Sequence, residues 1–154
     1  MPDLVLPVAV DAPPERVWAA LTDWRSQGRW MPATDVEVVT AADEGVGVRL
    51  AARTGVPLPW RRGRHLGVLD TMVVTEWEPP SRVVVQHTGR IVRGPGIFEL
   101  TPTAAGTDLV WTERLYLPFG LLGVVGWPLL RPFMVAGVRA SLRRFAAFAA
   151  AHPA

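Results

Sequence analysis

Strand-forming segments follow one another without a helical interruption between Thr34 and Leu117, and turn-forming residues separate them. Short connections join strands that run in opposite directions, so this stretch predicts an antiparallel meander. An opening strand at Asp3–Asp11 brings the expected number of strands to seven. The later strands are predicted at Val36–Thr40, Val46–Thr54, Leu66–Glu78, Arg82–Thr88, Pro95–Thr101 and Thr107–Leu117.

Helical patterns flank this strand region on both sides. Before it, Pro13 and Pro14 suit a first helical turn, and Trp24–Pro32 predicts a second short helix or turn. After it, the segment from Pro132 to about Ala150 predicts one long amphipathic helix, because bulky apolar residues recur on one arc and arginines on the other. The apolar arc consists of Met134, Val135, Val138, Leu142, Phe145, Phe148 and Ala149.

Sixteen uncharged residues separate Arg114 from Arg131, just ahead of that helix. The run is shorter than the ~20 residues that a membrane-spanning helix needs. Glycines and prolines interrupt it, so we predict a flexible apolar connector or lid over residues 117–130. Contact of this segment with a membrane or a partner chain is the alternative.

Composition removes several classes of function. The chain has 154 residues and predicts a single domain over 1–154. It contains no cysteine, which excludes disulfides, thiolate nucleophiles and zinc-thiolate sites. All sixteen basic residues are arginines. They are scattered along the chain and the net charge is only +2, so no nucleic-acid partner is expected. The histidines and carboxylates lack the spacing of metal ligands, and no phosphate loop is present, so no metal or cofactor is expected.

The opening residues lack the basic region and the long apolar region of a secretion signal. We therefore expect a cytoplasmic location.

Two ionisable residues fall on the inward side of the predicted sheet when the apolar residues of each strand are taken as the inward set. His87 and Glu113 lie on the strands that flank the Phe98 strand, at similar height and roughly 9 to 10 Å apart at the backbone. A buried carboxylate needs a partner or a raised pKa, and either would suit a general acid or base. The full inward set is Val73, Thr75, Trp77, Val83, Val85, His87, Phe98, Leu100, Leu109, Trp111 and Glu113.

The alternative is structural. Glu113 would pair with an arginine such as Arg90, and His87 would bond a backbone carbonyl group. A β-bulge in the last strand would instead turn Glu113 outward.

Aromatic residues supply the predicted walls of a cavity between the sheet and the long helix. Ligand pockets commonly use large, flat apolar side chains. The predicted ligand-binding set is Trp24, Trp30, Trp77, Val85, Phe98, Trp111, Met134, Val138 and Leu142.

The sequence resembles the START-like (SRPBCC) superfamily, specifically its bacterial polyketide cyclase/dehydrase and lipid-transport branch. The resemblance covers nearly the whole chain. It implies an α+β helix-grip fold, in which a seven-stranded curved antiparallel sheet and two short helices wrap around a long C-terminal helix and enclose a cavity for hydrophobic ligands. The segments that carry it are Asp11–Trp18, Asp23–Pro32, Val46–Gly47, Glu76–Val83, Phe98–Pro102 and Gly106–Thr107.

Three functions fit these observations. The first is binding of a small hydrophobic ligand, lipid- or polyketide-like, by a monomer or homodimer. The second is a cyclase, aromatase or dehydratase, a lyase or isomerase in which Glu113 and His87 carry protons. The third is a membrane- or partner-interaction module that uses residues 117–130.

Overall fold

The computed structural model describes residues 3–57, 59–60 and 65–153. Seven strands, two α-helices and one 3-10 helix make up the fold. Their bounds, in chain order, are β1 Asp3–Val10, α1 Pro14–Thr22, the 3-10 helix Trp24–Arg29, β2 Thr34–Val38, β3 Arg49–Pro57, β4 His65–Glu78, β5 Arg82–Thr88, β6 Arg93–Thr103, β7 Gly106–Arg114 and α2 Leu121–Ala151.

The seven strands form one antiparallel sheet in the order β1-β7-β6-β5-β4-β3-β2. Strands β2 to β7 are a meander of sequential neighbours, and β1 pairs with β7 at the far edge. The chain passes from that edge to the opposite edge through α1 and the 3-10 helix. The predicted fold class, a seven-stranded sheet with short helices and a long C-terminal helix, is confirmed.

A β-bulge in β4 changes which residues of that strand face inward. The pairing with β5 shifts between Val74 and Glu76. Val74 is fully buried, whereas Thr75 is exposed. The predicted inward positions Val73 and Thr75 are therefore wrong, because the extra residue reverses the alternation on the N-terminal side of the bulge. Asp70 and Met72 share the inward face with Val74, and Trp77 keeps its predicted side beyond the bulge.

Helix α2 begins eleven residues before the predicted start at Pro132 and runs without a break from Leu121 to Ala151. The predicted flexible connector over residues 117–130 is therefore wrong for its larger part. Pro128 and Pro132 lie inside the helix. A proline removes one backbone hydrogen bond, and here the helix continues on both sides of each.

The two halves of α2 lie in different surroundings. In the C-terminal half, Ser141, Leu142, Phe145 and Ala149 are buried. The Phe145 ring meets the Trp30 ring edge-on, with centroids 4.9 Å apart. The N-terminal half is mostly exposed. Only the C-terminal half is therefore gripped by the rest of the fold.

Phe145→Ala tests that distinction. Phe145 is 0 % exposed, so truncation should lower the free energy of unfolding by about 3 to 5 kcal/mol. Phe133→Ala is the matched control on the same helix, where the ring is 76 % exposed and the expected change is within about 0.5 kcal/mol. Urea titration followed by circular dichroism measures both, and equal losses would contradict the assignment of the core to one half of α2.

Candidate functional site

Three ionisable side chains from three strands converge on the concave face of the sheet. His87 on β5 lies between Asp70 on β4 and Glu113 on β7. Its Nδ1 is 2.8 Å from Asp70 Oδ2, and its Nε2 is 3.3 Å from Glu113 Oε2. The His87 and Glu113 side chains are about one-tenth exposed or less, and that of Asp70 is 18 % exposed. We call these three residues the buried triad.

A glycine on the strand between β5 and β7 makes the His87–Glu113 contact geometrically feasible. Gly96 on β6 pairs with Val85 on one side and Glu113 on the other. A methyl group on Gly96 would come within 3.0 Å of Glu113 Oε1 and 3.3 Å of His87 Nε2. The absence of a side chain therefore leaves room for the imidazole and the carboxylate to meet across β6.

The two carboxylates determine the charge of His87. Burial alone would lower the pKa of His87, because it disfavours the charged imidazolium. The hydrogen bond to Asp70 and the contact with Glu113 outweigh burial and raise the pKa to about 10. His87 is therefore an imidazolium at neutral pH.

Several polar atoms of the triad keep unused hydrogen-bonding capacity. Trp111 Nε1 donates a 2.7 Å hydrogen bond to Glu113 Oε1. In the described part of the chain, by contrast, Asp70 Oδ1, His87 Nε2 and Glu113 Oε2 are buried without a hydrogen-bond partner. The 3.3 Å distance between His87 and Glu113 suits an ion pair, but its direction does not meet hydrogen-bond geometry. A buried polar group without a partner is costly, so a hydroxyl group or a water placed here would be stabilised.

The triad forms the polar end of an aromatic-walled cavity. Trp111 packs against Phe98 with ring centroids 5.0 Å apart and against Trp30 at 6.4 Å. The cavity has a volume of about 80 Å³. Its lining residues are Trp24, Gln27, Trp30, Met31, Thr34, Leu50, Ala52, Thr54, Asp70, Met72, Val85, His87, Phe98, Trp111 and Glu113.

The structure brings together most of the site residues that the sequence suggested. His87, Glu113, Trp24, Trp30, Val85, Phe98 and Trp111 all lie along the cavity. Glu113 does not pair with Arg90, and His87 does not bond a backbone carbonyl in the described structure; each contacts the other instead.

Four predicted ligand-binding residues do not line this cavity. Trp77 packs edge-on against Trp18, with ring centroids 5.0 Å apart. The other three are Met134, Val138 and Leu142 on α2. Trp30 contacts Phe145 of α2 on one side and Trp111 of the sheet on the other, so the 3-10 helix region fills the space where these three residues were expected to meet a ligand.

Sequence reasoning missed Asp70 and Gly96. Asp70 lies two residues before Met72 and four before Val74, so it shares their face of β4. Strict alternation counted from Trp77 places Asp70 on the opposite face, because that count does not include the β4 bulge between them. For Gly96, the signal was a glycine inside a strand, which often marks a close approach of neighbouring groups.

A curved antiparallel sheet, a gripped C-terminal helix and an internal cavity define a helix-grip domain. The family model described as polyketide cyclase/dehydrase and lipid transport matches residues 1–150, and the chain belongs to this family. A comparison with curated proteins gives no match.

Solved structures share the fold at low sequence identity. TTHA0849 from Thermus thermophilus is 21% identical with a TM-score of 0.73, covering 96% of this chain and 97% of that one. The di-domain ARO/CYC StfQ from the steffimycin biosynthetic pathway is 17% identical with a TM-score of 0.73; the match covers 96% of this chain and 50% of StfQ. The Aha1 dimer from Colwellia psychrerythraea is 18% identical with a TM-score of 0.57, covering 88% of this chain and 92% of that one.

The raised pKa of His87 makes stability depend on pH. The folded protein holds a proton on His87 up to a pKa of about 10, whereas the unfolded chain loses it near the ordinary histidine pKa of 6.5. The contribution of His87 to the free energy of unfolding should therefore be largest below about pH 6.5 and be lost as the pH rises toward about 10. Urea titrations across this range measure the slope.

His87→Gln removes the titrating group and should flatten that slope. If His87→Gln does not fold, Gly96→Ala serves instead, because its methyl group forces His87 and Glu113 apart and should reduce the slope. A slope identical to that of wild type in His87→Gln, or in Gly96→Ala where His87→Gln does not fold, would contradict the ion-paired imidazolium.

Proposed function

We propose that the protein binds a small, largely apolar molecule that carries a hydrogen-bonding oxygen. The apolar part lies against Trp30, Phe98 and Trp111, and the oxygen meets the buried triad. The observation that carries the proposal is the set of unsatisfied polar atoms at one end of a largely apolar cavity. A hydroxyl group can accept from His87 Nε2 and donate to Glu113 Oε2, so it completes both atoms at once.

The size of the cavity limits the guest in this conformation. An engineered apolar cavity of about 150 Å³ holds benzene, and the space here is about 80 Å³. The cavity is therefore about half that size, so a short chain fits as it stands and a single ring requires a small outward shift of the walls. A larger lipid- or polyketide-like ligand requires outward movement of the 3-10 helix and the residues up to Thr34, which form the part of the cavity wall outside the sheet.

Phenol and toluene form a matched pair of probes for this site. They have nearly the same shape, but only phenol carries a hydroxyl group. We expect phenol to bind about tenfold more tightly or better, because a hydrogen bond to a charged group contributes ~1.5 to 3 kcal/mol. Titration by two-dimensional NMR measures both affinities, with the indole N–H of Trp111 as reporter because it lies against Glu113.

Ala52→Leu tests the location of binding. Ala52 is buried and lines the cavity, so a larger side chain fills the space without removing a polar group. Phenol binding should be lost in this variant. Ala51→Leu is the matched control, because the neighbouring residue on β3 faces the other side of the sheet. Unchanged phenol binding in a folded Ala52→Leu protein, or equal affinity for phenol and toluene in wild type, would overturn the proposal.

The buried triad also favours a second function, proton transfer at a carbon next to a carbonyl group. Glu113 Oε2 has a free lone pair to accept that proton. The His87 imidazolium, with a pKa of about 10, donates a hydrogen bond to the carbonyl oxygen and stabilises the negative charge that develops there. Enolisation of this kind precedes carbon–carbon bond formation in a cyclisation. The family description, which includes cyclases and dehydrases, supports this candidate.

Exchange of the methyl protons of acetophenone for deuterium in D₂O tests this second function. Wild-type protein should accelerate the exchange, and Glu113→Gln should abolish the acceleration. Asp108→Asn is the matched control, because Asp108 is an exposed carboxylate on the same strand. Proton NMR follows the loss of the methyl signal. Exchange that is no faster with wild-type protein than without it, or that survives in Glu113→Gln, would exclude Glu113 as the base.

A further inference from the structure

The first part of α2, residues 121–133, presents an unusually large apolar surface to solvent, and we call it the half-helix. Five of its leucine and valine residues are between 59 % and 82 % exposed, and Phe133 is 76 % exposed. Phe119, just before the helix, is 78 % exposed. Soluble proteins rarely expose contiguous apolar patches of this kind without a partner. The exposed apolar side chains of this half-helix are Leu121, Leu122, Val124, Val125, Leu129, Leu130 and Phe133.

These side chains cover about two-thirds of the helix circumference instead of forming a narrow stripe. Successive residues are about 100° apart, so Leu122, Leu130 and Val124 lie at about 100°, 180° and 300° around the helix axis from Leu121. A helix that is apolar all round is typical of a protein core or of a membrane, whereas a protein groove covers one side. The half-helix is not in the core, since the most apolar 18-residue window of α2 is 0% buried. A lipid phase would cover every side.

The length of the uncharged part of α2 and the packing of its C-terminal half limit how deeply the helix can enter a bilayer. Among the described residues, α2 is the one helix long and apolar enough to cross a membrane. Its C-terminal half, however, is packed into the core through Leu142 and Phe145. The uncharged part from Leu121 to Leu130 spans about 15 Å, half of the ~30 Å hydrocarbon core of a bilayer. Arg131 bounds this part at its C-terminal end and Arg93 lies near its N-terminal end, so both ends can stay at the headgroups when the helix lies along one leaflet. These dimensions fit entry into one leaflet.

The charges around the half-helix are mainly positive, and Asp3 at the same end of the sheet is paired with Arg114. Glu113 is the last acidic residue of the sequence, and Arg131, Arg139, Arg143 and Arg144 follow it. Tyr116 N donates a hydrogen bond to Arg93 O, which shows that Arg93 lies at the end of the sheet from which the chain leads into the half-helix. Arg90 and Arg93 are exposed and form no ion pair with the acidic side chains of the described residues. Arginines beside an apolar anchor are attracted to anionic lipid headgroups.

We propose that residues 119–130 insert into one leaflet of an anionic lipid bilayer and that Arg90, Arg93 and Arg131 contact its headgroups. A second copy of the chain fits less well, because an antiparallel or parallel contact would cover one side of the half-helix and bring like charges together. The proposal does not depend on the proposed cavity ligand.

A groove connects this end of the molecule to the buried triad. Its lining includes His87, Arg90, Arg93, Tyr116 and Phe119. His87 also lines the cavity. Insertion of the half-helix would therefore place the polar end of the cavity next to the bilayer surface, where an apolar guest is most concentrated.

Co-sedimentation with vesicles tests the insertion. The vesicles are phosphatidylcholine alone, or phosphatidylcholine with about 30% phosphatidylglycerol; near an anionic surface each arginine contributes roughly a fivefold preference. We expect wild-type protein to bind the anionic vesicles at least about tenfold more tightly than the neutral ones. Arg90→Gln with Arg93→Gln should remove most of that preference.

Leu122→Glu with Val125→Glu should abolish binding to both kinds of vesicle. The matched control is Val39→Glu with Val46→Glu, which adds the same charges at two exposed valines outside the half-helix. This control keeps the apolar anchor and should still bind vesicles, with an affinity lowered only by the two added negative charges. Three results would overturn the proposal. The first is wild-type protein that stays in the supernatant with both kinds of vesicle. The second is equal binding by Leu122→Glu with Val125→Glu and by its control, Val39→Glu with Val46→Glu. The third is a dimer in light scattering that Leu122→Glu with Val125→Glu dissociates, in a protein that binds no vesicles. The Ala52→Leu protein should still bind vesicles, so failure of the cavity proposal and failure of this one give different results.

Discussion

The contact between a buried imidazolium and two carboxylates is the constraint on which the site depends. His87 can stay charged in the interior because Asp70 and Glu113 approach it from the two sides, at 2.8 and 3.3 Å. That geometry requires strands β4 to β7 to hold one register and requires Gly96 to leave the path across β6 open. Burying charges is costly unless they are paired and hydrogen-bonded, so the incomplete bonding of this group defines where a guest would be stabilised.

Aromatic packing explains why the cavity is small and why it lies against the sheet instead of the helix. Trp30 bridges Phe145 of α2 and Trp111 of β7. The space that a wide cavity would occupy between α2 and the sheet is therefore filled by the chain itself. What remains is a pocket with aromatic walls and one charged end, which suits orientation of a guest as well as its capture. The same packing confines the gripped part of α2 to its C-terminal half and leaves the N-terminal half free.

Much of the architecture could be predicted from the sequence, because turn residues and strand alternation are local signals. The bounds of β5 agree with the prediction to the residue, and the inward residues of β5, β6 and β7 are those expected from alternation. The bulge in β4 could not be predicted from alternation alone, and it hid Asp70. The start of α2 was also missed, because glycines and prolines indicated a break where exposed helix continues. The bulge and the start of α2 both depend on which neighbours a segment meets in the fold, and a local sequence pattern does not contain that information.

The protonation state of His87 tests the central claim most directly. Nitrogen-15 NMR of the histidine ring, recorded from about pH 5 to about pH 11 on protein labelled at histidine, distinguishes an imidazolium from either neutral tautomer. The account predicts that both ring nitrogens of His87 stay protonated through neutral pH and titrate with a pKa of about 10. A neutral ring at pH 8 would show that the two carboxylates do not hold a charge inside this fold, and it would contradict the account.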